Sequence, residues 1–512
     1  MSDWTAGYVA DIGYTYGYYS ELNPLKSRLA ILSQGYAVPE FGTACELGFG
    51  QGLSINIHAA ASQSQWHGTD FNPSQAAHSQ HLAKKSESDI HLYDESFEDF
   101  IRNEKLPDFD FIGLHGIWSW VGGKNREIIT NFIQKKLKIG GVLYISYNTL
   151  PGWSAFSPVR HLLSLHSQVM SGEGQGSLKK VDASLEFVDK IWATDPAYIK
   201  ANPVALERYK KVKEQNRNYI AHEYFNRDWL PMHFSDMAEF MHSAKMQYVC
   251  SAHYNDHIGA INVSEAQRSL MQETSNQVIK ETMFDYFINQ QFRRDYWIKG
   301  ARKLNKLEQL ESLRAEKFVL VVPREDVPLT VNGPAGTATL TENLYTPILD
   351  FLADFKPKTL GQIESAMSAT GLQIVQIVQC VIVLVGTGSV SAVQSSEISK
   401  KILKSTNKIN FEIIKKACEN GDIGYLASPL TGGGVMVGRF NQIFLLAYIQ
   451  GKKTTDEWAE FAWAIIRGLG QALLKDGAPM QDPKDNFQEL KRQAEEFSRR
   501  QFPVLRSLLM LD

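Results

Sequence analysis

Glu46-Leu47-Gly48-Phe49-Gly50-Gln51-Gly52 decides how this chain is read. An apolar run from Ala44 leads into it, and a helical pattern begins near Ser54. The alternating glycines allow a tight turn and let the backbone approach a ligand closely. A strand-to-helix turn also leaves the first helical N–H groups free to meet an anion, and a carboxylate serves there as well as a phosphate. Such turns occur for packing alone, so the motif needs a second signal.

The next apolar run, His67-Gly68-Thr69-Asp70, supplies it. An ionised carboxylate at a strand end accepts two hydrogen bonds from ribose hydroxyls. The alternative is a simple helix cap, since Asn72-Pro73-Ser74 suits a helix start. A dinucleotide-binding unit also joins glycines to a later acid. Glu46 argues against one, because a carboxylate there repels a pyrophosphate but suits the cationic amino and sulfonium end of S-adenosylmethionine. Asp94 and Glu95 follow the third strand at the height of an adenine amino group, or else form a solvated acidic loop.

The expected strands are Ala44–Leu47, His67–Asp70, Ile90–Tyr93, Phe109–Leu114 and Gly141–Ser146, alternating with helical stretches in a parallel sheet. Ligands of open α/β sheets sit at the carboxyl ends of strands. The loops His115-Gly116-Ile117-Trp118-Ser119-Trp120 and Tyr147-Asn148-Thr149-Leu150-Pro151-Gly152-Trp153 should therefore border the reacting group. His115, Tyr147 and Asn148 are the candidates to line an acceptor pocket, and Trp118, Trp120 and Trp153 are either substrate contacts or ordinary core anchors.

The chain has 512 residues, with 44% hydrophobic and 21% charged residues and a net charge of -3. That length predicts several domains, and the balanced charge disfavours nucleic acid as a main partner. Four dispersed cysteines, with no CxxC pair, suggest neither a zinc site nor a disulfide framework. The polar and aromatic Met1–Ala10 stretch does not read as a signal peptide, and the apolar Ile374–Val385 run is too short to span a bilayer, so a cytoplasmic location is expected. Expected segments are 1–160 (N-terminal lid and cofactor-binding core), 161–218 (helical insertion, with a linker at Ser171–Ser177), 219–312 (completion of the sheet through Met246–Ala252 and Arg294–Ile298), 313–400 (a winged-helix-like unit) and 401–512 (helical). In the fourth, Gln373–Val385 stands where a recognition helix would, yet is nearly free of Lys and Arg, which favours protein contact or a structural role over DNA.

The stretches His115 to Val121 and Tyr144 to Trp153 resemble the class I methyltransferases that carry a methyltransferase regulatory domain, in particular rickettsial outer-membrane-protein lysine methyltransferases. The likeness extends to Tyr14, Pro24, Arg28 and Leu29, to Tyr219-Ile220-Ala221-His222-Glu223-Tyr224 and to Phe292-Arg293-Arg294, covering about the first 300 residues. It implies a Rossmann-like sheet with a helical insertion. It also implies S-adenosylmethionine held by Glu46, Gly48, Gly50, Gly52 and Asp70, with Phe71, His115 and Asp94 or Glu95 beside it and the N-terminal tyrosines, Tyr14 among them, as a lid. A bacterial surface protein is the implied substrate, with lysine as acceptor, and a homodimer is compatible with it. Gly13, Tyr18 and Gly122-Gly123 depart from the family pattern around the acceptor entry.

His222-Glu223 does not form a metallopeptidase motif, since Asn226 stands where the second histidine would, and a structural pair linking the cap to the core is expected there, with a general base as the lesser alternative. Methyl transfer needs no metal, because the leaving group departs as a neutral thioether and placement supplies most of the catalysis. A methyltransferase of a sugar or small metabolite, and a catalytically silent cofactor-binding regulator, are the competing readings.

Overall fold

The computed structural model describes residues 5, 7–172, 174–475 and 477–511. Of the Met1–Ala10 stretch, Met1–Trp4 and Ala6 lie outside the described residues, as does Glu173 of the expected linker. Seven strands form the central sheet: β1 (Thr43–Leu47), β2 (Gln65–Thr69), β3 (Ile90–Tyr93), β4 (Phe109–Leu114), β5 (Leu137–Asn148), β6 (Met246–Ser251) and β7 (Phe292–Lys299). Their order is β3-β2-β1-β4-β5-β7-β6. The first five are parallel, and β7 runs antiparallel to both β5 and β6. Strands covered on both faces must be apolar almost throughout, and β4 is buried at every residue. β5 begins earlier than expected and ends two residues later, because its pairing with β7 continues to Asn148.

Helices α1 (Pro24–Ser33), α2 (Leu53–Ala61), α3 (Pro73–Ser86), α4 (Phe97–Arg102) and α5 (Gly123–Lys136) flank the sheet. The Asn72 side chain accepts from the N–H groups of Ser74 and Gln75 and caps α3, a bond that contributes about 1 kcal/mol. Alternation along the strands divides the core. Phe111, Val142 and Tyr144 pack on one face with α1, whereas Cys45, Ile112, Ile145 and Tyr147 pack on the other with α5.

Between β5 and β6 the chain inserts α6 (Ser157–Val169), α7 (Ser177–Trp192), α8 (Ala197–Ala201), α9 (Pro203–Lys213), α10 (Arg217–Tyr224) and α11 (Phe234–Ser243). Val159, Leu185, Tyr209 and Ile220 give most of this cap an apolar cluster of its own. The sheet is thus completed from beyond an insertion.

After β7, strand β8 (Lys317–Leu320) pairs antiparallel with β11 (Lys358–Thr359) and β12 (Val390–Ala392), and β9 (Thr330–Gly333) forms a hairpin with β10 (Gly336–Thr339). The apolar helix Ile374–Gly386 turns Ile377, Val381 and Leu384 into the cluster that also holds α1 residues. The segment considered for recognition is therefore largely core. The C-terminal helices Ser396–Ala417, Arg439–Ile449, Thr455–Gly468 and Pro483–Ser507 share an apolar cluster with α2, which is buried along its whole length. No helix among the described residues is long and apolar enough to cross a membrane.

Candidate active site

At the carboxyl ends of β1, β2, β4 and β5 lies a cavity of about 690 Å³, roofed by the segment before α1 and by α9 and α10. The glycine loop forms part of its floor. Gly48, Gly50 and Gly52 take φ values of +71°, +57° and +72°, which side chains larger than glycine adopt only with strain. A Cβ on Gly52 would fall 1.9 Å from Ser79 Oγ, so this glycine permits α2 and α3 to pack, whereas one on Gly50 would meet nothing nearer than 3.9 Å. Gly50 thus leaves open space toward the cavity.

Two carboxyls flank the loop. Asp70 Oδ2 accepts from the Gly50 N–H at 2.8 Å and Oδ1 from the Asn72 N–H at 3.0 Å. Burial outweighs these bonds and lifts Asp70 to about 6, with the charge of Asp94 adding to the rise. Glu46 is buried, its Oε2 has no partner among the described residues, and burial followed by the nearby Asp70 pushes its carboxyl well above the usual range. A buried acceptor without a donor is costly unless a ligand supplies one. The amino group of S-adenosylmethionine is such a donor and its sulfonium adds positive charge nearby, so the residues present fit this cofactor.

The cavity gathers Tyr14, Glu46, Gly48, Gly50, Gly52, Asp70, Phe71, Glu95, His115, Trp120, Asn148 and Trp153 from the sequence candidates. Three others do not line it. Tyr147 lies on the opposite face of β5 and donates to Asp295 Oδ2 at 2.9 Å, because alternate residues of a strand point to opposite sides. Trp118 is fully buried, with Nε1 directed at Met232 Sδ and its ring edge-on to Phe240, so it is a core anchor. Asp94 acts on the site only through its charge on Asp70, while the adjacent Glu95 lines the wall.

His115 is also not a charged group at neutral pH. Burial pushes it down to about 4, its ring stacks on Tyr19 at 3.6 Å, and its Nδ1 lies 2.7 Å from the Tyr144 hydroxyl. With Tyr19 and Phe292 it separates the cleft from a neighbouring cavity of about 980 Å³ that contains the Arg294–Glu21 ion pair. Asn148 presents a buried Nδ2 with no partner among the described residues, another donor available to a ligand.

Sequence reasoning named no site role for Tyr8, Tyr19, Arg208 and Tyr219 and weighed Glu223 chiefly as structural, yet all five line the cavity. Tyr219 and Glu223 stand four apart on α10, hence on one helical face, and that spacing was the available signal. Glu223, expected to be structural, accepts from the Tyr14 hydroxyl at 3.3 Å, and burial lifts it to about 7. Arg208 stacks over the Trp153 ring at 3.8 Å.

A seven-stranded sheet in the order 3-2-1-4-5-7-6 with its seventh strand reversed, and an acid-flanked glycine loop under the cleft, give this chain the class I methyltransferase fold. Over 510 residues, 99% of each chain, this sequence is 36% identical to the uncharacterized protein sll1526 of Synechocystis sp. (strain ATCC 27184 / PCC 6803 / Kazusa). The chain belongs to the same family as that protein. A family model described as "Predicted methyltransferase regulatory domain" matches residues 216–299. The protein RP028 of Rickettsia prowazekii is 28% identical over 197 residues, 37% of this chain and 76% of the relative. Among solved structures, PKMT2 from Rickettsia typhi in complex with AdoHcy superposes with a TM-score of 0.68 at 18% identity, covering 97% of this chain and 99% of that one. That likeness shows the same fold.

Proposed function

We propose that this chain transfers a methyl group from S-adenosylmethionine to a lysine side chain of a protein, a bacterial surface protein being the substrate class. The observation that carries the reading is the buried Glu46 carboxyl, which lacks a donor beside a glycine loop open to the cavity. In this reading Gly48, Gly50 and Gly52 admit the methionyl end, Glu46 faces its cationic groups, Asp70 accepts from the ribose hydroxyls, and Phe71 and Glu95 flank the adenine. The cofactor supplies an electrophilic methyl on sulfur. His115 and Asn148 border the transfer point, and Trp120 and Trp153 are walls for the acceptor. Residues 161–218 act as the roof, 219–312 complete the sheet, 313–400 and 401–512 brace it, and the chain works in the cytoplasm.

The solved relative's AdoHcy complex and the regulatory-domain match support the reading. The test is calorimetry with S-adenosylhomocysteine and with NAD, followed by incubation with methyl-labelled cofactor and fractionated lysate. Binding of the first compound and label in lysines of a protein band are expected. Binding of NAD alone would overturn the cofactor assignment, and label confined to small molecules would overturn the acceptor.

A further inference from the structure

The part of the cavity built by the N-terminal segment and by α10 is a carboxyl among phenols. Glu223 accepts from the Tyr14 hydroxyl at 3.3 Å, and Tyr8, Tyr14, Tyr19 and Tyr219 line the same cavity, where the charge of Glu223 opposes their ionisation. The Tyr14 ring meets His222 edge-on at 4.8 Å, and Tyr8 meets Phe71 edge-on at 5.8 Å, so the rings are held by packing. Other carboxylates of the cleft have different engagements. Asp70 accepts two backbone N–H groups, Asp228 pairs with Arg227 at 3.2 Å, and Glu46 stands beside the glycine loop. Glu223 is offered a phenol, and no cation among the described residues offsets its burial.

A carboxylate set among phenols in an aromatic-lined cavity is a receptor for an organic cation: the acid and the phenolic oxygens accept its N–H bonds, and aromatic rings nearby attract positive charge. An anionic acceptor would be repelled, and a sugar would gain nothing from the rings' electrostatics. We infer that Glu223 and these tyrosines receive the acceptor's ammonium group, and that Glu223 takes the proton that must leave before the amine can react. The inference rests on the methyltransferase reading above. The proton balance is simple. One N–H bond of the ammonium breaks, its proton passes to a Glu223 oxygen, and the electron pair stays on nitrogen as the nucleophile. A carboxyl held near 7 by burial is better matched to that exchange than an ordinary surface glutamate.

The test titrates Nα-acetyl-L-lysine methylamide, and its uncharged norleucine counterpart, into the full-length protein saturated with S-adenosylhomocysteine. The lysine compound should bind saturably and the norleucine compound at least about tenfold more weakly, the scale of a desolvated cation–π and charge-assisted contact. Glu223→Gln should lose that preference while S-adenosylhomocysteine affinity stays within about twofold, and Glu223→Asp and Tyr14→Phe should retain part of it. Should Glu223→Gln fail to fold, Tyr14→Phe carries the comparison, with a drop in preference expected. Equal binding of the two compounds by the wild type, no binding of either, or an unchanged preference in the glutamine variant overturns the inference. A wild type that binds no S-adenosylhomocysteine removes the cofactor reading instead, and the same titration into the free protein then decides the amine site by itself.

Discussion

Tyr14 and Glu223 stand 209 positions apart, yet the hydroxyl of the first donates to Oε1 of the second at 3.3 Å. The bond joins the irregular segment before α1 to the cap helix α10, across the mouth of the cleft. That segment is fastened at its far end, where the Tyr19 N–H donates to Ser54 Oγ at 2.8 Å and the Tyr18 hydroxyl accepts from the Gly434 N–H at 2.7 Å. Its earlier residues are tied to the cap and its C-terminal connection: the Val9 N–H donates to Asn226 Oδ1 at 2.9 Å, the Arg227 N–H to the Gly7 carbonyl at 2.9 Å and the Ser177 N–H to Asp11 Oδ2 at 3.0 Å. The segment and the cap should therefore move together when the cleft opens for ligand exchange and closes on bound ligand. Amide hydrogen exchange over residues 7–17 should slow on adding S-adenosylhomocysteine, by up to about 100-fold at a ligand concentration of about 100 Kd. Unchanged exchange at saturation would show that the segment is no lid.

Glu46 is tuned for a ligand at the expense of the free protein. Glu46→Gln removes an acid whose ionisation burial opposes and keeps its shape, so the thermal midpoint of the free protein should hold or rise. Affinity for S-adenosylmethionine should fall by about 1.5–3 kcal/mol, the value of a hydrogen bond to a charged group. Calorimetry beside thermal denaturation reads both, and retention of wild-type affinity would contradict the role given to Glu46.

Cofactor affinity should also rise with pH. Asp70 keeps its proton up to about 6 in the folded protein, against 3.8 for the ordinary group. Its contribution to stability is complete below about 4 and is lost as pH rises through about 6. Ribose hydroxyls donating to Asp70 favour its ionised form, so binding below pH 6 releases a proton, and affinity grows by up to about tenfold per pH unit per proton released. Titrations between pH 5 and 7.5, in buffers of different ionisation enthalpy, measure that release. A flat profile would mean that Asp70 is already ionised in the free protein.

What the sequence made legible follows from what each residue answers to locally. Parallel strands are largely apolar runs between helical stretches, so Ile90–Tyr93 and Phe109–Leu114 were read at their true limits. The later strands β6 and β7 were visible as apolar runs despite the intervening cap. Tyr147 was misplaced because strand-end position was weighed without strand parity: Tyr144 and Asn148 share the cleft face, and an odd offset from them points away. Glu223 was weighed chiefly as structural because its environment comes from Tyr14 and the segment before α1, and no local pattern announces which distant segments a helix will face.

Correcting Tyr147 makes its own prediction. Its hydroxyl joins a buried cluster in which Arg293 reaches Glu281 and Asp285 at 2.7 Å and Asp295 at 3.0 Å. Tyr147→Phe should cost about 1 kcal/mol of stability and leave S-adenosylhomocysteine affinity and turnover unchanged. Arg293→Ala, which strands three carboxyls without their cation, should cost about 3–5 kcal/mol. Urea unfolding gives both values. Loss of turnover in Tyr147→Phe, with stability intact, would restore the residue to the chemistry.

Gly50 and Gly52 share a backbone conformation but not a neighbourhood, and alanine should separate the two consequences. Both variants place a Cβ at positive φ, which costs about 1–2 kcal/mol. At Gly52 the new carbon also meets Ser79 Oγ at 1.9 Å, so α3 must shift away from α2, and stability should fall by several kcal/mol by analogy with overpacked cores. At Gly50 the nearest atom, Gln75 Oε1, lies 3.9 Å away, so the fold pays only the conformational cost. The added methyl then stands toward the cavity, where the ligand's closest approach to backbone is expected. Gly50→Ala should therefore weaken S-adenosylhomocysteine binding by at least about tenfold, 1.4 kcal/mol, while unfolding nearly as wild type does. Gly52→Ala should show the larger loss in the melt. If Gly50→Ala binds normally, the ligand does not lie against this loop, and the anion-cradle reading of the motif fails with it.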